Sequence, residues 1–220
     1  MTVRRLVMLR HGQTQFNAGS RMQGQLDTDL TDLGRAQAVA AAEVLAKRAP
    51  LRIVSSDLRR AYDTASCLAH RTRQSVDVDV RLRETHLGDW QGLTHTQVDE
   101  IAPGARQAWR ADAAWAPHGG ESRIEVAARG VELVAELFAS ETQWGADDSD
   151  RPLVLVAHGG SISALTAALL GLPQSSWAIL GGMGNASWAQ LSGHGRAEFP
   201  DLSWRLDVWN ASAQVANDVL

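Results

Sequence analysis

Arg4-Arg5-Leu6-Val7-Met8-Leu9 runs straight into Arg10-His11-Gly12, and Leu153-Val154-Leu155-Val156-Ala157 runs into His158-Gly159-Gly160. Both are short apolar runs without alternation, each closed by a turn signal. Such runs suit strands buried on both faces of a parallel sheet. The surroundings agree. Thr31-Asp32 opens an Ala-rich helix reaching about residue 48, with Pro50 beyond it. Residues 51–55 read as a second strand, and 57–70 as a helix capped by Ser56 or Asp57. Val76, Val78 and Val80 alternate with Asp77 and Asp79, as in a strand wet on one face. Ser122 and Glu125 have capping-box spacing, and Ile124, Ala127, Val131, Val134 and Phe138 then recur at helical spacing. A helix over 161–170 follows His158, and 186–191 and 203–209 read as two late strands. This alternation predicts an α/β fold with a mixed, mostly parallel sheet.

The 220 residues suit a single domain spanning 1–220, given roughly 150 residues per domain. Two segments break the rhythm: a polar loop at 17–30, and residues 84–120, rich in Gly, Trp and His. Loops of that length are commonly functional, so 84–120 is expected to be a lid insertion. With 45 % apolar and 21 % charged residues, disorder, collagen, coiled coil and disulfide scaffolds are excluded as the main architecture. Lys and Arg number 21 and Asp and Glu 25, a net charge of −4. No global field is present to hold nucleic acid or an acidic membrane, so any anion must be held by a local cluster. Cys67 is the only cysteine; it has no internal disulfide partner and is expected to be a small buried hydrophobe. The run Leu6-Val7-Met8-Leu9 is too short for a signal sequence or membrane span. A reducing, cytoplasmic setting is the expectation.

In an open α/β sheet the ligand crevice lies outside the carboxyl ends of the strands. His11 and His158 would both sit there, each followed by a glycine that lets the backbone turn away. A lone histidine at a strand end is usually structural; two such ends in one chain point to a site. Arg60, early in the helix after the second strand, either reaches that edge or pairs on the surface with Asp57 or Asp63. Glu84 either reaches the crevice or faces solvent. Together these residues suit phosphoryl transfer. Neutral imidazole is a competent nucleophile, and neighbouring guanidinium groups disfavour its charged form. The same guanidinium forks bind phosphate oxygens and stabilise the transition state. A carboxylic acid would protonate the leaving alkoxide and then activate water. Arg10, His11, Arg60, Glu84 and His158 supply every role without a metal.

The stretches Leu9-Arg10-His11-Gly12-Gln13-Thr14 with Asn17, Ser55 to Ala61 with Thr64-Ala65, Arg83-Glu84 with Gly88-Asp89-Trp90-Gln91-Gly92, and His158-Gly159 resemble the histidine phosphatase superfamily, which includes phosphoglycerate mutases. The resemblance implies a three-layer α/β/α fold. It makes His11 the phosphorylated nucleophile and Glu84 the proton donor and acceptor. Arg10, Arg60 and His158 would hold the phosphoryl group, with Asn17, Gln23 and Gly159 lining the site. No cofactor is implied, though Mg2+ could assist substrate binding. Asp29 stands before Leu30 where many members have Pro, which leaves the local loop geometry open.

Further stretches, Ser20 to Gln25, Trp115 to Ser122, Gly181 to Trp188 and Trp204 to Asn210, resemble members acting on a phosphorylated sugar-glycerate. A mutase must grip a second phosphoryl group, yet 84–120 offers only Arg106 and Arg110, with Trp90, Trp109 and Trp115 instead. The Trp faces suit a sugar ring or lid packing. Hydrolysis is therefore favoured over isomerisation, with a phosphoserine phosphatase sharing every catalytic residue. A zinc or di-metal hydrolase would need clustered ligands, and no histidine lies in an H-E-x-x-H run. A non-catalytic regulator would typically lack the nucleophile or the acid. In 203–209, Trp204, Leu206 and Val208 are expected to face the core and Trp209 an exposed sheet edge, unless the tail 211–220 covers it. That edge, with the resemblance to a dimeric enzyme, predicts a homodimer.

Overall fold

The computed structural model describes residues 2–146, 150–195, 199 and 202–213. In chain order the elements are β1 (Val3–Arg10), a single turn α1 (Gln15–Ala18), α2 (Asp32–Leu45), β2 (Arg52–Ser55), α3 (Arg59–Thr72), β3 (Asp77–Val78), α4 (His95–Ile101), α5 (Ala105–Ala111), α6 (Arg123–Ser140), β4 (Leu153–Ala157), α7 (Gly159–Leu169), β5 (Trp188–His194) and β6 (Ser203–Ala211). The strands form one sheet in the order β3-β2-β4-β1-β5-β6. The pairs β1–β4, β4–β2 and β2–β3 are parallel, whereas β1–β5 and β5–β6 are antiparallel.

Period-2 alternation divides each central strand between two cores. Leu6 and Met8 of β1 with Leu153 and Leu155 of β4 pack against Leu133, Val134 and Leu137 of α6 and Ile162 and Leu165 of α7. Val7, Leu9, Val154 and Val156 pack on the other face against Ala41, Ala42 and Leu45 of α2 and Ala61, Ala65 and Leu68 of α3. The small alanines of α2 and α3 let both helices approach the sheet closely. The result is the three-layer α/β/α arrangement, with both central strands buried on both faces. Among the described residues no helix is long and apolar enough to cross a membrane.

Several expectations are corrected at element boundaries. Of 76–80, only Asp77–Val78 forms a strand. Asp79 then accepts from the Arg81 amide and begins a 3-10 turn over Val80–Leu82. Helix α3 starts at Arg59, capped by Leu58 without a side-chain bond. Ser56 accepts the Leu58 amide, and Asp57 is drawn away by Arg83. Helix α7 begins at Gly159, two residues before the expected start. The first late strand begins at Trp188, because Ala186 sits at φ 52°. Cys67 is half-buried against the α2–α3 core, its thiol near the Asp63 carbonyl at 3.5 Å.

In β6, strict alternation fails. Leu191 faces Leu206, Gln190 faces Val208 and Trp188 faces Ala211, so β6 carries an extra residue at each of two steps. Asn210 takes φ 58° at the second. These bulges turn Trp209 inward, where it joins Trp204 and Leu206 against the core. Trp209 is therefore half-buried, not an exposed edge residue. Of the tail proposed to cover it, residues 214–220 lie outside the described residues.

Candidate active site

The register of the sheet makes the site. Arg10 at the end of β1 lies opposite Ala157 at the end of the adjacent parallel strand β4. The next residue of each strand is His11 and His158, and their rings lie 5.1 Å apart, centroid to centroid. The His11 amide donates to the Ala157 carbonyl at 3.1 Å, locking the two strand ends together. Gly12 can press so closely on α2 only because it lacks a side chain. A Cβ there would fall 2.2 Å from the Gly34 carbonyl oxygen. The Gly12 amide donates to Thr64 on α3 at 3.1 Å.

Nδ1 of His11 lies 2.7 Å from the Gly12 carbonyl. A carbonyl only accepts, so Nδ1 carries the proton and Nε2 holds the lone pair in the neutral ring. Burial, then the charges of Arg60 and Arg10, hold the His11 pKa well below the usual imidazole value. Burial and the same arginines, with His11 itself, do likewise for His158. Both ring nitrogens of His158 are buried without a hydrogen-bond partner among the described residues.

Arg60 is fully buried, so the surface alternative fails: Asp57 pairs with Arg83 instead. Its two terminal nitrogens donate to the carbonyls of Leu26 and Gly24, each at 2.8 Å. Burial pushes its pKa down to about 10, partly offset by Glu84. Arg10 donates to the Met183 carbonyl; burial lowers its pKa and Glu84 raises it. Asp29 pairs with Arg59 at 2.9 Å. A bridge between Thr14 and Leu30 closes the loop beside the site.

Glu84 reaches the N-terminus of α7, so its solvent-facing alternative also fails. One carboxylate oxygen accepts the Ser161 and Thr85 amides at 3.0 and 2.8 Å, and the other accepts the Gly160 amide at 3.0 Å. A Cβ at Gly160 would lie 2.5 Å from the Glu84 carboxylate and push it from this position. Arg10, His11, Arg60 and Glu84 line one cavity of about 870 Å³ with Asn17, Gln23 and Gly159, and His158 sits fully buried beside His11. The predicted residues thus all meet at one place.

Sequence reasoning missed others. Asn185 donates to the Asn17 side-chain oxygen at 3.1 Å and to the His11 carbonyl at 3.3 Å. Asn17 also accepts from the Thr14 amide through that oxygen, which leaves its NH2 as donor toward the cavity. The only sequence signal was the glycine-rich run around Asn185. From 84–120, Trp109 and Arg110 line the cavity. Trp90 stacks on Trp115 with centroids 5.4 Å apart and meets Trp109 edge-on, within a small separate core. Two of the three tryptophans are therefore packing residues. Among the described residues no group of three or more His, Cys, Asp or Glu side chains is arranged to hold a metal ion.

The family model of the histidine phosphatase superfamily (branch 1) matches residues 6–211. The chain belongs to that superfamily. It is 73 % identical over 225 residues, spanning all of both chains, to the glucosyl-3-phosphoglycerate phosphatase of Mycolicibacterium vanbaalenii. It is 72 % identical over 223 residues, again spanning all of both, to that of Mycobacterium tuberculosis. A solved complex of a mycobacterial glucosyl-3-phosphoglycerate phosphatase with inorganic phosphate superposes with TM-score 0.90 at 72 % identity, covering 97 % of this chain and 100 % of the other. The protein is thus a histidine phosphatase, a phosphomonoester hydrolase.

The buried histidines of this phosphatase make its stability depend on pH. Both rings stay neutral in the fold but take a proton near 6.5 when unfolded. Below that pH the unfolded chain binds more protons, so stability falls on acidification until the folded pKa is reached; above it these groups add no slope. Denaturant titrations between about pH 5 and 8 should show His158→Asn flattening the acid side, each such histidine accounting for up to about 1.4 kcal/mol per pH unit. An unchanged profile would mean that the His158 ring takes up its proton inside the fold.

Proposed function

We propose that this histidine phosphatase hydrolyses the phosphomonoester of glucosyl-3-phosphoglycerate, and of its mannosyl analogue, to the sugar-glycerate and inorganic phosphate. The observation that carries the substrate is the end-to-end identity to enzymes of that name. The histidine pair at the ends of β1 and β4 supplies the chemistry. Nε2 of His11 attacks phosphorus, and Arg10, Arg60 and His158 hold the phosphoryl oxygens as charge spreads over them. The carboxylic acid of Glu84 gives its proton to the departing alkoxide oxygen. The resulting carboxylate then takes a proton from water, whose oxygen attacks the phosphohistidine. Phosphate leaves, and His11 returns to its starting state. Gly159, Asn17 and Gln23 line the binding cavity. Side chains fill every role, so no step uses a metal, and Mg2+ would act only on substrate binding.

The scarcity of cations within 84–120 supports hydrolysis over isomerisation. Arg106 is held by Asp99 at 2.8 and 2.6 Å, while Arg110 at the cavity wall has no ion pair among the described residues. Within 84–120 that leaves Arg110 to meet the glycerate carboxylate; Arg21 and Arg123, outside that segment, also line the cavity, but their side chains donate to the backbone carbonyls of Gly92 and of Trp109 and Arg110. Trp109 beside Arg110 offers a face to the uncharged sugar. Residues 84–120 act as the lid of a single-domain chain. Phosphate release from glucosyl- and mannosyl-3-phosphoglycerate, 3-phosphoglycerate and phosphoserine tests the reading. The glycosylated substrates should give the highest kcat/KM. Faster turnover of phosphoserine, or isomerisation of 3-phosphoglycerate at an equal rate, would overturn it.

The same reading includes a homodimer. Strand β6 is the edge of the sheet, and an unpaired edge favours a second copy. Light scattering should return twice the 23.7 kDa chain mass; a monomer at working concentration would exclude it. The lone half-buried Cys67 fits a reducing cytoplasm.

A further inference from the structure

We infer that Arg129, clamped by Glu121, is the positioning residue that sets Glu84 in register with the substrate's leaving oxygen. This rests on the reading of Glu84 as the acid. Arg129 lies on α6, and each of its five N–H bonds is used. One terminal nitrogen donates to the Arg81 and Arg83 carbonyls at 2.6 and 2.7 Å. The other donates to the Glu84 carbonyl at 3.0 Å and to Glu121 at 3.2 Å, and Nε reaches the second Glu121 oxygen at 3.2 Å.

Glu121 in turn accepts the His86 amide at 2.8 Å. Gln25, whose side chain meets Glu121 at 3.4 Å, also donates to the Glu84 carbonyl at 3.1 Å. The peptide groups on both sides of Glu84 are therefore gripped from behind, while α7 receives its carboxylate from in front.

Neither Arg129 nor Glu121 lines the cavity, so neither touches substrate. A guanidinium with every donor engaged has none left to bind a ligand. Its planar fork spans three carbonyls and a carboxylate at once, which the three-donor ammonium of lysine does not reproduce. The Arg129 charge also helps hold His158 neutral. The hub thus connects α6 to the acid on one side of the phosphoryl pocket and to an imidazole on the other.

A hub that only staples the fold would weaken all substrates alike. A hub that aims Glu84 weakens those whose leaving group needs its proton. The test is the ratio of kcat/KM for glucosyl-3-phosphoglycerate, which leaves as an alkoxide, to that for p-nitrophenyl phosphate, whose phenolate departs without a proton. Glu84→Gln is measured in parallel, and inorganic phosphate binding reports on the phosphoryl pocket.

Arg129→Met should lower the ratio roughly 10- to 100-fold with phosphate affinity retained, and Arg129→Lys should recover part of it. An equal loss on both substrates, or no loss, would overturn the inference. If Glu84→Gln leaves the ratio unchanged, the acid assignment itself fails; if Glu84→Gln shifts it and Arg129→Met does not, only the hub fails. Should Arg129→Met not fold, Glu121→Gln decides: a lowered ratio supports the hub, and a parental ratio rejects it.

Discussion

His11→Ala should lower kcat/KM for every phosphomonoester by at least about 10⁴-fold and leave a folded protein. The loss is this large because no neighbour can substitute. The His158 ring is 5.1 Å away, but it is fully buried and does not line the cavity; in the proposed mechanism it holds oxygens rather than attacks. The fold survives because the backbone bonds of residue 11, to Ala157 and from Ala186, do not involve the ring. Circular dichroism and inorganic phosphate binding check the fold and the pocket. Rapid acid-free quench of the parent during turnover should trap a phosphoryl group that maps to His11 and vanishes in the variant. A phosphoryl group found elsewhere would reassign the nucleophile.

Arg60→Lys should be nearly as damaging, at about 10³-fold in kcat/KM. The substitution keeps a positive charge, so a simple Coulombic role predicts a mild effect. The geometry predicts otherwise. The guanidinium donates to Gly24 and Leu26 at the same time, and its Nε is buried without a partner among the described residues; in the proposed mechanism its remaining N–H groups bind the phosphoryl oxygens. An ammonium supplies fewer donors without the planar fork, and the Gly24 carbonyl it abandons is a buried group costing about 1–3 kcal/mol when left unpaired. Loss of stability should therefore accompany loss of rate, visible as a lower denaturation midpoint. Activity within tenfold of the parent would show that Arg60 serves the loop and not the phosphoryl group.

The strands that matter most were legible because their burial is two-sided. Leu6-Val7-Met8-Leu9 and Leu153-Val154-Leu155-Val156 contain no polar position, and each belongs half to one core and half to the other. The capping box at Ser122 and Glu125 formed where the spacing predicted it. Local patterns cannot, however, report partners far along the chain. Glu84 meets the amides of Gly160 and Ser161 across more than seventy residues, and no feature of Arg83-Glu84-Thr85 announces a helix N-terminus there. Arg129 falls in an ordinary amphipathic helix, where an arginine normally reads as solvated surface. The face of Trp209 was misread because alternation assumes unbroken pairing, and the bulges of β6 leave no mark in residue type beyond Asn210.

The position of β1 has a consequence for biosynthesis. It is made long before its two neighbours in the sheet, since β4 begins only at Leu153 and β5 at Trp188. A nascent chain ending before Leu153 carries this apolar strand with neither neighbour made, and the nucleophile without its companion imidazole. Such distant pairing slows folding and prolongs exposure of sticky surface. Reactivity toward phosphate esters therefore waits until β4 and α7 have been made, and a product terminated before Leu153 is catalytically silent.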